Sequence, residues 1–119
     1  MEKEITIKLY DIVKTNLPQG RETISEQVGG ADVRQIIEDA WDKYEKVYIS
    51  FDNIVKMTRT FTDEAFAKLL EGHSLEEFNQ KVYFPDAREN IVKELNSAMK
   101  LRLKIIAAAR EREKGELGI

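Results

Sequence analysis

The chain contains no cysteine, which excludes disulfides and thiolate chemistry. It has a single histidine, His73, and so no pair of imidazoles to build a zinc site; no metal ligands are expected. Apolar runs are only a few residues long, against the ~20 that a membrane helix needs. The start, Met1 to Lys8, alternates charged and apolar residues and is unlike a signal peptide. Positive charge is not in excess. A net charge of −3 gives no general attraction to nucleic acid or to an anionic membrane. Also missing are a Gly-x-Ser-x-Gly elbow, a P-loop and any visible nucleophile–base pair. Together these absences predict a cytoplasmic protein that is not an enzyme and uses no cofactor.

What is present is a chain of 119 residues, 42% hydrophobic and 34% charged. That suits one domain over residues 1–119 with a modest core and heavily solvated helix faces. Ile5 to Val13 largely alternates and predicts a strand. Pro18 to Arg21 is a turn signal, and Glu22 to Val28 predicts a second short strand. Gly29-Gly30 then breaks to a helix, with Asp32 near its cap and an apolar stripe through Val33, Ile36, Ile37, Ala40, Trp41 and Tyr44. Lys46 to Phe51 is nearly all apolar or small, the mark of a central strand covered on both faces.

A Thr-rich turn follows, then a helix marked by Phe61, Ala65, Phe66, Leu69 and Leu70 and ended by Gly72. Thr60 and Asp63 fit a capping box with Asp in place of Glu. Leu75 to Phe78 predicts a helical turn, and Lys81 to Phe84 a further core strand stopped by Pro85. Asp86 and Glu89 form a second capping-box pattern before a long helix at about 87–114, with Gly115 as its C-cap and a frayed tail at 115–119. Strands alternating with helices predict an α/β fold: a small mixed sheet of about four strands, helices packed on it, and a long C-terminal helix.

The stretch Ser50-Phe-Asp-Asn-Ile54 followed by Thr58-Arg-Thr-Phe-Thr-Asp-Glu-Ala-Phe66 resembles the STAS-like domain family of unknown function. That family's pattern runs Asp-Phe-x-Gly-Val, then Thr-x-Ser-Phe-Ala-Asp-Glu-Leu-Phe. Phe51, Thr58, Phe61, Asp63, Glu64 and Phe66 are identical to it, and the spacing agrees without a gap. Ser50 stands where the strand Asp is expected and Asn53 where Gly is expected. The element order is also similar to that of STAS domains, which include the bacterial anti-sigma-factor antagonists.

The resemblance implies a non-catalytic regulatory module of a bacterial or phage cytoplasm. It would dock a partner protein, an anti-sigma factor or a histidine-kinase-type ATPase, through the strand–turn–helix at 53–64. The implied partner-binding residues are Asn53, Thr58, Arg59, Thr60, Thr62 and Asp63. In the antagonists a serine at the start of this helix is phosphorylated. Laying that motif on Met57 to Phe61 puts Arg59 at the acceptor position, with Thr58 and Thr60 as flanking candidate phosphoacceptors. The alternative from another class is a phage or mobile-element inhibitor that binds and blocks a host factor. A nucleotide-dependent enzyme using the Thr-rich turn is a weaker rival.

Other residues have plainer readings. The two threonines suit a helix cap and a turn. Asp63 and Glu64 point about 100° apart on a helix and do not converge on one substrate atom. His73 reads as a loop residue. In the last helix, Ile91, Ala98, Leu101, Ile105 and Ala108 trace one stripe. The helix would run about 40 Å, longer than a small sheet is wide. Its second half, Leu101 to Ala109, should overhang, with Leu101, Ile105 and Ala108 placed for homodimerisation. Its interleaved basic and acidic end reads as a solvated terminus rather than a nucleic-acid site.

Overall fold

The computed structural model describes residues 2–116. Strand β1 (Glu2–Lys8) leads directly into the short helix α1 (Leu9–Val13). After a long loop come α2 (Gly30–Trp41) and β2 (Tyr44–Ser50). Helix α3 (Arg59–Ala65), a 3₁₀ segment (Ala67–Glu71), α4 (Leu75–Lys81) and β3 (Val82–Tyr83) follow, and α5 (Glu89–Glu116) closes the described chain. The sheet has three strands in the order β1-β2-β3, parallel throughout, with Ile7 opposite Ile49 and Val47 opposite Val82. This is a small α/β fold with a long C-terminal helix.

Several expected elements differ, for physical reasons. The alternation of Ile5 to Val13 stops being a strand at Lys8, because Leu9 and Val13, four apart, are both buried by winding into α1. The segment 22–28 is not a strand. Ile24 and Gln27 pair with each other across a tight turn, Ser25 takes a left-handed φ of 56°, and Ile24 is 73% exposed. With Ile24 in water and only Val28 packed towards the core, the segment has no continuous face to bury as a strand. The sheet therefore has three strands, not four, and is not mixed.

β2 is central, but it is covered on one face only. Val47 and Ile49 are buried, whereas Tyr48 is half-buried and Lys46 is exposed, with its ammonium over the Tyr83 ring. Two caps also move. Thr58, not Thr60, caps α3, and Asp86 serves the end of β2 instead of α5. Gly115 lies within α5, which runs to Glu116; residues 117–119 of the predicted tail lie outside the described residues.

The core sits between the covered sheet face and the helices. Phe51, Phe66 and Phe84 form a triangle with ring centroids 5.6–5.9 Å apart at the end of β2. Gly30 lets α2 and α3 approach closely. A Cβ there would stand 2.8 Å from the Ala65 amide nitrogen and from the Phe61 carbonyl oxygen. Among the described residues no helix is long and apolar enough to cross a membrane.

Candidate functional site

The stretch between β2 and α3 leaves the C-terminal edge of the parallel strands, where open α/β sheets commonly bind ligands and partners. It is a rigid turn. The Asp86 carboxylate reaches back from beyond β3, accepting the Ser50 hydroxyl at 2.6 Å and the Phe51 amide at 2.8 Å. Burial disfavours the Asp86 anion, yet these two donors outweigh that and hold its pKa below the ordinary value. Asn53 has a φ of 66°, the left-handed conformation that asparagine tolerates and that glycine would otherwise supply. The Ile54 amide then donates to the Phe51 carbonyl at 2.9 Å.

Ile54 and Met57 are buried and pin the turn from beneath, while Val55 and Lys56 face outward. The amides of Val55 and Lys56 donate to the Asn16 carbonyl, and that of Thr58 donates to the Pro18 carbonyl. The Asn90 side chain on α5 donates to the Val55 carbonyl at 2.9 Å. The turn is thus held by the loop after α1, by Asp86 in the segment between β3 and α5, and by α5.

Thr58 is extended and caps α3, its Oγ1 accepting from the Phe61 amide at 3.3 Å. Its hydroxyl is 3.4 Å from that of Thr60, which is exposed. The Arg59 Nε donates to Glu94 on α5 at 2.7 Å, yet its side chain remains 47% exposed. Thr62 and Asp63 do not join this surface. Thr62 is fully buried and its hydroxyl donates to the Thr58 carbonyl. Asp63 accepts from Arg21 at 2.6 Å and from both Nε and NH2 of Arg102 on α5.

Glu64, also buried, accepts from Arg21 at 3.1 Å, Arg34 at 2.6 Å and Lys68 at 3.0 Å. Burial works against both anions, but the surrounding cations outweigh it and lower both pKa values. The two carboxylates share Arg21. Together they lock α3 to α2, α5 and the loop after α1.

The remaining candidates lie apart from the turn. His73 lies in the loop between the 3₁₀ segment and α4, where its ring stacks on Trp41 with centroids 3.7 Å apart and its Nε2 is 3.2 Å from Glu38. Among the described residues no cluster of three or more His, Asp or Glu side chains is placed to hold a metal ion. An apolar groove of about 670 Å³ runs between α4, β3 and α5, lined by Leu75, Phe78, Val92, Met99 and Leu103 among others. It lies on the other flank of α5 from Asn90 and Glu94, away from the turn.

Leu101 and Ile105 are 47% and 42% exposed, and Ala108 is exposed as well. Sequence reasoning missed Arg21, Asn16, Asn90 and the role of Asp86. The last was visible only as an Asp before a helix.

A family profile described as a STAS-like domain of unknown function matches residues 29–92, more than half of the chain. The chain belongs to that family. The matched stretch of this STAS-like domain runs from α2 to the first turn of α5, so it contains the whole turn and both of its flanking elements. β1 and most of α5 fall outside it. No curated protein and no solved structure matches the chain.

Proposed function

We propose that this STAS-like domain is a non-catalytic regulatory module that docks a partner protein through the turn and helix start at 53–64. The contact surface is Asn53, Thr58, Arg59 and Thr60, with Val55 and Lys56 beside them. Thr62 and Asp63 hold that surface from below. One observation carries the reading: the turn is exposed at its tip yet anchored on three sides by hydrogen bonds and two buried side chains. A preorganised exposed loop loses little conformational entropy on binding, which is what a docking edge requires. Family resemblance points to an anti-sigma factor or a histidine-kinase-type ATPase as the partner class.

The test is affinity capture with the tagged protein and its Arg59→Glu variant, followed by intact-mass analysis of what is retained. Reversing the charge at an exposed side chain should reduce capture about tenfold while changing stability by less than about 1 kcal/mol. Unchanged capture together with a large drop in melting temperature would make the turn scaffold and overturn the proposal.

A further inference from the structure

Helix α5 carries a second surface, and its sequence is complementary to itself. At 100° per residue, Asn90, Glu94, Leu101, Ile105, Ala108 and Arg112 fall within about 60° of one another. The first two touch the domain's own turn, through Val55 and Arg59. The other four are exposed. Arg102 turns inward to Asp63, and Leu103 and Ile106 pack towards the core, so they are not part of this row. Two large aliphatic side chains therefore stand in water on one helix face, with an acidic residue at one end of the row and a basic residue at the other.

We propose that a second copy of this chain covers this row, its α5 packed antiparallel about a two-fold axis at the level of Leu103. The large aliphatic and charged residues of the row then meet fitting partners at equal distance from the axis. Leu101 lies against Ile105 of the second copy, and Ile105 against its Leu101. The exposed Ser97 lies against its half-buried Ala109, small side chains that let the helices approach. Glu94 meets its Arg112, and the pair recurs by symmetry. A parallel arrangement would instead set Glu94 against Glu94 and Arg112 against Arg112, and align the two helix dipoles. Charge thus selects both the occupant and its direction. Since Glu94 also holds Arg59, this interface adjoins the turn, but it stands independently of the docking reading and needs no third protein to test.

Sedimentation equilibrium of the wild-type protein, E94R, R112E and a 1:1 mixture of the two variants decides the matter. The wild type should dimerise. Each variant alone should associate at least about tenfold more weakly, because both symmetric pairs become like-charged. The mixture should recover a heterodimer, since both pairs are then again of opposite charge. Circular dichroism checks that the variants remain folded. Arg112 is exposed near the end of α5, so R112E alone is decisive if E94R, which removes the partner of Arg59, fails to fold. A wild type that stays monomeric, an R112E protein that dimerises like the wild type, or a mixture no more associated than its parts would each overturn the proposal.

Discussion

Asp63 is the residue on which most elements converge: one carboxylate on α3 receives guanidinium groups from the loop after α1 and from α5. Its side chain and that of Arg102 are only 10% and 12% exposed. Removing one member of so enclosed a pair strands the other charge away from water. Asp63→Ala should therefore destabilise the domain by about 3 kcal/mol, measured by urea denaturation. A loss below 1 kcal/mol would show that water reaches Arg102 easily.

The same carboxylates set a pH dependence. The pKa values of Asp63 and Glu64 are depressed in the folded state below the ordinary 3.8 and 4.5. Their contribution is then complete above those values, and it is lost as the pH falls through them towards the depressed folded values. Melting temperature should fall on acidification below about pH 5, and the fall should be shallower in an Asp63→Asn, Glu64→Gln variant. Equal slopes in the two proteins would assign acid sensitivity elsewhere, with Asp86 the next carboxylate to examine.

Among the elements, α2 was the most legible, because its apolar stripe from Val33 to Trp41 keeps helical spacing, although Tyr44, read as the last member of that stripe, opens β2 instead. What periodicity did not show is how closely α2 would meet α3. The first residue of α2, Gly30, sits against the backbone of Phe61 and Ala65, atoms that cannot swing aside as a flexible side chain can. Gly30→Ala should cost about 1–3 kcal/mol by displacing α2 from α3, although alanine is the better helix former. Thermal unfolding tests this, and a stabilised variant would mean that the helices separate freely.

The start of α3 was misplaced by two residues because Thr58 and Thr60 are equally good caps locally. The choice falls to Thr58 where its own amide is drawn to the Pro18 carbonyl. The segment 22–28 was misread for a related reason: its composition permits a strand, but no neighbouring strand is there to pair with it. Helix α5 was anticipated to within a few residues, and so was the exposure of Leu101, Ile105 and Ala108; that Leu103 and Ile106 in the same half would pack back on the domain was not. Leu103 and Ile106 are partly covered by packing against the core, while Leu101 and Ile105 are left uncovered.

For the molecule as a whole, the two proposed surfaces meet along one flank of α5, so the Arg59→Glu and Arg112→Glu experiments probe adjacent ground with separate readouts. Local pattern alone determined the central strand, the turn leaving it, the helices on either side and the family resemblance, since each depends on residues within a few positions of one another. Tertiary structure alone decided which of those residues face outward. The contacts that anchor the turn and seal Asp63 join positions 35 to 42 apart: Asp86 with Ser50 and Phe51, Asn90 with Val55, Arg21 and Arg102 with Asp63. A charge reads alike in sequence whether it ends in water or beneath a helix; only the packing of distant segments determines its environment.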